Sequence, residues 1–151
     1  MLTEIRNFLA LSPQLLTAGQ PTAEQFDELR EAGVEVVVNL AMPTSTNALP
    51  NERAIVEGLG MTYIPIPVVW ETPTREDFEQ FSQVLDAHRD RTVLVHCALN
   101  MRVSAFVYTY RVLQGMEPAI AQADLAKIWQ PNATWQAFID STLTSGNVSS
   151  G

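Results

Sequence analysis

The chain has one cysteine, Cys97, and the residues around it suggest a use for that thiol. It follows the apolar run Val93-Leu94-Val95-His96 and precedes Ala98-Leu99-Asn100-Met101-Arg102-Val103-Ser104. The sequence thus places a thiol where a buried strand ends and a guanidinium just before a helix. A helix start offers backbone N–H groups without intrahelical acceptors and the positive end of the helix dipole. Both favour a thiolate and hold an oxyanion. A tight loop whose successive N–H groups converge makes an anion nest. The planar fork of Arg102 can grip two oxygens of one phosphate, which a lysine cannot do with the same geometry. Asn100 is a residue type that tolerates the left-handed backbone such a loop often requires. A lone cysteine after a strand can also be a small buried apolar side chain, but together with His96, Asn100 and Arg102 it reads as a nucleophile. His96 stays open between a satisfied core histidine and a ring that orients the loop.

The rest of the chain supplies elements to position this loop. Thr22 and Gln25 read as a capping box for a helix that Gly33 stops. Residues 36–40 form a short β-branched run expected as a buried strand. A Pro/Thr/Ser/Asn-rich loop follows at 42–50, then a helix from 51 that ends at Gly60. Residues 61–66 and 93–96 are expected as further core strands. Thr74 with Asp77 starts a helix to about residue 88. Helices are expected at 103–114, near 119–129 and at 132–142. Trp129 and Trp135 are expected in the core, whereas Trp70 could wall the pocket or pack inward. Alternating strands and helices favour a mostly parallel sheet covered on both faces. Ligands bind such sheets at the carboxyl ends of the strands, so the loops 41–50, 67–74 and 97–102 should share one rim.

The bulk properties bound the function. The chain has 151 residues, 46% apolar and 17% charged, which fits one globular domain, 1–144, with a flexible polar tail at 145–151. A net charge of −8 argues against nucleic acid and anionic membranes as partners. One cysteine and two histidines are too few for a typical structural zinc site, and no metal or cofactor is expected. A single thiol and the lack of a secretory or membrane-spanning pattern point to the cytoplasm.

The run Val95-His96-Cys97, with Arg102 and Ser104, resembles the signature of tyrosine and dual-specificity phosphatases, in which five residues separate Cys from Arg. The approach Gly60-Met61-Thr62-Tyr63-Ile64-Pro65-Ile66-Pro67-Val68 and the opening TAGQPTAEQFDELREAGVEVVVNL resemble a bacterial branch of these proteins. A domain of that branch also occurs joined to a metallo-hydrolase linked to sulfur metabolism. The resemblance covers roughly residues 10–115. It implies a three-layer α/β/α fold with a central, mostly parallel sheet of four to five strands. It also implies a phosphoric monoester hydrolase acting through a phosphocysteine on a phosphorylated small molecule or phosphoprotein. Cys97 would be the nucleophile and Arg102 the clamp, with His96, Ala98, Leu99, Asn100, Met101 and Ser104 binding substrate.

Two features depart from the pattern. Only four residues separate Cys97 from Arg102, so either the loop is one residue short or the arginine has moved one place, with Val103 in its usual position. This is also the spacing of rhodanese-like sulfurtransferases, which leaves persulfide chemistry on Cys97, or a catalytically weak phosphate-binding domain, as alternatives. The family's general acid, needed to protonate a leaving oxygen, should lie on the loop 67–74. Its one carboxylate is Glu71, where the family usually has Asp. Asp77 is better read as a helix-start carboxylate.

Overall fold

The structure, a computed structural model, describes residues 1–45 and 47–145 in full and 146–150 as backbone only. The flexible tail expected over 145–151 falls, after Ser145, outside the fully described residues. Five strands form one sheet: β1 (Leu9–Ser12), β2 (Leu15–Ala18), β3 (Val36–Asn39), β4 (Thr62–Pro65) and β5 (Val93–His96), in the order β1-β2-β5-β3-β4. All neighbours are parallel except the β1–β2 hairpin. The helices are α1 (Ala23–Glu31), α2 (Glu52–Gly58), α3 (Arg75–Ala87), α4 (Met101–Leu113), α5 (Pro118–Ile128) and α6 (Ala133–Ser150).

Strand alternation divides the core in two. Val36, Val38, Val93, Val95 and Cys97 join Phe78, Phe81, Phe106, Trp135 and Ile139 of α3, α4 and α6 on one face. Val37, Leu94, Leu16 and Ala18 join Phe26, Leu29 and Val56 of α1 and α2 on the other. The result is the three-layer α/β/α arrangement implied by the sequence. Phe106 is fully buried, stacks on Phe138 at 5.4 Å and meets Phe81 at a tilt at 5.5 Å. Its truncation to Ala should cost about 3–5 kcal/mol and loosen α4 from the sheet.

The capping signals hold. Thr22 and Gln25 cap α1 reciprocally, and Thr74 Oγ1 accepts from Asp77 N. Gly33, Gly60 and Gly115 end helices at positive φ. One element was not foreseen and two expected boundaries are corrected. The hairpin β1–β2 went unread because Leu9–Ser12 and Leu15–Ala18 lack a β-branched run, and Pro13-Gln14 turns them within two residues. α4 begins at Met101, two residues early, because the left-handed Asn100 starts the helix directly. α6 continues beyond residue 142, the end expected for it.

Candidate active site

β5 ends at His96 and α4 begins at Met101, so residues 97–100 make the entire connection. Asn100 closes it at φ 66, the left-handed conformation anticipated for it. Cys97 is 1% exposed. It lies in a cavity of about 170 Å³ lined by Trp70, Cys97, Ala98, Leu99, Met101 and Arg102. Arg102 reaches this cavity from the first turn of α4, while Val103 is fully buried in the core. The arginine at 102, rather than position 103, therefore accompanies the thiol.

Arg102 also ties the rim together. Its Nη1 donates to the Val68 carbonyl at 3.0 Å and its Nη2 to Ser45 Oγ at 3.5 Å. One guanidinium on α4 thus touches the loops after β3 and β4, as expected of a shared rim. The N–H groups of Ala98, Leu99, Met101, Arg102 and Val103 have no hydrogen-bond acceptor among the described residues.

The loop is held from beneath. Asn100 Nδ2 donates to the Asn7 carbonyl and to Thr17 Oγ1, and Asn7 Nδ2 donates to the Leu99 carbonyl. Gln20 N donates to the Ala98 carbonyl and Cys97 N to the Ala18 carbonyl. Asn100 is thus fully buried under the loop and does not line the cavity.

Three other predicted residues also lie off the cavity. His96 is fully buried, because strand alternation turns it to the α1/α2 face while Cys97 faces α4. Its Nδ1 lies 3.3 Å from the Cys97 carbonyl and its Nε2 2.7 Å from Glu52 Oε2. Ser104, two residues along the helix from Arg102, points elsewhere. Its hydroxyl donates to the Met101 carbonyl and accepts from Trp129 Nε1. Glu71 is exposed and lines a separate groove with Arg75, Phe138 and Ser141. Among the described residues, no group of three or more His, Cys, Asp or Glu is placed to hold a metal ion.

The sequence reading missed Glu52. It is 4% exposed, and Gln20 Nε2 donates to its Oε1 at 2.7 Å and Asn39 Nδ2 to its Oε2 at 3.2 Å. Burial opposes its ionisation, but hydrogen bonds and charge from His96, with Gln20 and Tyr63, outweigh burial and hold the carboxyl below its ordinary range. Tyr63, whose hydroxyl accepts from Asn39 Nδ2, is pushed up to about 12, chiefly by burial and further by Glu52. In sequence Glu52 is indistinguishable from any acidic residue in a first helical turn. Only its pairing with His96 sets it apart.

The family described as "DSP-PTPase phosphatase fused to NAD+ Kinase" matches residues 9–140. The chain belongs to this family. A candidate phosphatase from Shewanella putrefaciens CN-32 is 40% identical over 95% of both chains, with a TM-score of 0.87. P. aeruginosa TpbA in complex with pTyr shares 19% identity over 93% of this chain and 90% of that one, at a TM-score of 0.72. PTPMT1 in complex with PI(5)P shares 15% over 96% and 99%, at 0.82. The last two likenesses are of fold. No curated protein matches the chain significantly. No helix among the described residues is long and apolar enough to cross a membrane.

Proposed function

We propose that this member of the DSP-PTPase family hydrolyses phosphomonoesters through a phosphocysteine on Cys97. The observation that carries the reading is the shared cavity. A buried thiol and the Arg102 guanidinium meet at the start of α4, amid N–H groups with no acceptor among the described residues. In the first step the Cys97 thiolate attacks phosphorus, the S–P bond forms and the ester P–O bond breaks. Arg102 and the loop amides stabilise the charge on the equatorial oxygens. The leaving oxygen takes a proton from a carboxylic acid, a role we assign to Glu71. Water then attacks phosphorus and gives a proton to the Glu71 carboxylate, the S–P bond breaks, and phosphate leaves with Cys97 restored as a thiolate.

The cavity walls favour an apolar leaving group. Trp70, Leu99 and Met101 surround the thiol, and Leu99 is 38% exposed. Aryl phosphates fit such a mouth better than polar sugar phosphates. TpbA was captured with pTyr and PTPMT1 with PI(5)P, which supports a phosphoester substrate. A single unprotected thiol suits a reducing cytoplasm. The test is turnover of a generic aryl phosphate beside a Cys97→Ser control, with mass detection of a trapped phosphocysteine. Turnover confined to the native protein supports the reading. A folded native protein without turnover contradicts it.

A further inference from the structure

We infer that Glu52 is a positioning residue for Cys97, holding His96 as a doubly protonated imidazolium whose second N–H fastens the Cys97 carbonyl. The inference rests on the reading of Cys97 as nucleophile and extends it to a residue outside the loop.

The proton positions follow from the partners. His96 Nδ1 faces the carbonyl of Cys97, and Nε2 faces a carboxylate oxygen of Glu52. A carbonyl only accepts, and so does an ionised carboxylate. A neutral imidazole carries one N–H and would set a bare lone pair against one of these acceptors. The imidazolium satisfies both, and the 2.7 Å contact to Glu52 is in the range of charge-assisted bonds. Moving the proton to Glu52 is opposed by its other neighbours, since Gln20 and Asn39 both donate to the carboxylate. Three donors on two oxygens favour the ionised form.

Tyr63 is a further group from a neighbouring element that favours the ionised carboxylate of this pair. Tyr63 approaches from β4, hydrogen-bonded to Asn39 of β3, and Arg53 of α2 lies over the Tyr63 ring at 5.2 Å. From α1, Phe26 meets the His96 ring edge-on at 6.0 Å. The Arg102 guanidinium belongs to the cavity with Cys97, on the side of the sheet away from Glu52. The cationic ring is therefore next to the Cys97 main chain, with the compensating carboxylate one side chain further away. That order of charges favours the thiolate. It also fixes the carbonyl at the first residue of the loop, and so the direction in which Sγ leaves the strand.

The chain has two histidines, so long-range ¹H–¹⁵N correlation of its imidazole rings reads them individually. In the native protein near neutral pH, His96 should show both ring nitrogens protonated. A singly protonated His96 overturns the inference without any variant being made. In Glu52→Gln the His96 pattern should collapse to one N–H, and iodoacetamide should label Cys97 about tenfold more slowly at mildly acidic pH. With one cysteine in the chain, the label reports that thiol alone. Glu57→Gln, at an exposed glutamate of α2 paired with Arg53, should change neither readout. A folded Glu52→Gln protein that labels at the native rate overturns the inference. Neither measurement uses phosphate turnover, so failure of the aryl phosphate assay counts against the proposed reaction alone.

Discussion

Gly19 and the carbonyl of Ala98 are so close that a Cβ on Gly19 would stand 2.6 Å from that oxygen. The second obstacle, the Arg6 carbonyl at 3.1 Å, is also backbone, so moving the Arg6 side chain, whose Cγ would lie at 3.2 Å, does not make room. Gly19 N donates to the Arg6 carbonyl and Gln20 N to the Ala98 carbonyl, which fastens the end of β2 to the nucleophile loop. Gly19→Ala must therefore displace the loop. We expect a loss of about 1–3 kcal/mol in urea denaturation, as for overpacking elsewhere. Aryl phosphate turnover should fall with it. Destabilisation with full turnover would show that the reaction tolerates a displaced loop.

Arg102→Lys keeps the charge but loses the planar fork. Catalytic efficiency on an aryl phosphate should fall at least about a hundredfold, roughly 2.7 kcal/mol at the transition state. Arg111→Lys is the comparison, since Arg111 lies further along the same helix and pairs with Asp124 of α5 at 2.8 Å. Equal losses in the two variants would mean that position 102 has no special part in the chemistry.

Asn100 supplies both a left-handed backbone and an amide that reaches Asn7 and Thr17. The two contributions separate in a pair of variants. Asn100→Gly keeps the backbone and loses the amide, whereas Asn100→Ala loses both. The alanine variant should be the less stable by about 1–2 kcal/mol. Equal denaturation midpoints would show that the backbone conformation contributes little.

The parts of this site that sequence made legible are those written in local chemistry. The strand run 93–96, the Asn100 turn and Arg102 lie within ten residues, and their types dictate the local geometry. The Thr22 capping box, the Thr74 cap and the terminal glycines are local in the same way. The clasp beneath the loop was hidden, because Asn7, Gly19 and Gln20 meet it only through tertiary folding. Glu52 was hidden for the same reason, as it lies 44 positions from His96. His96 and Ser104 show the opposite failure. The resemblance placed both among the substrate-binding residues, but strand alternation and the helical turn send both side chains elsewhere.

Two tyrosines set an alkaline limit on stability. Tyr63 and Tyr110 are each pushed from 10.0 up to about 12, in both cases first by burial. The Tyr110 hydroxyl also donates to Asp86 Oδ1 at 2.7 Å. A raised pKa means that the folded chain keeps a proton the unfolded chain loses. The contribution is complete below about pH 10 and is lost as pH rises through about 12. Urea midpoints should therefore decline across that interval. Tyr63→Phe and Tyr110→Phe should each flatten the decline, and an unchanged slope in both would show that other groups control it.

Glu71 presents the most demanding test, because its neighbour Trp70 is anchored. The Trp70 ring packs against Trp129 at 5.4 Å and Trp135 at 5.7 Å, and its carbonyl accepts from Trp135 Nε1 at 2.9 Å. That anchoring accompanies the placement of Glu71 in the groove beside α6 rather than beside the thiol. To act as the acid, Glu71 has to swing about Trp70 toward the leaving oxygen. Its contribution should then scale with leaving-group basicity, since a good aryl leaving group departs unprotonated and an alkoxide does not. Glu71→Gln should cost about a hundredfold on alkyl phosphates and much less on an activated aryl phosphate. Asp77→Asn, at the start of α3, should instead cost about 0.3–1 kcal/mol of stability on either account and leave the leaving-group dependence unchanged. If Glu71→Gln spares both substrates, the proton comes from another group and the acid assignment fails, while the roles of Cys97 and Arg102 stand.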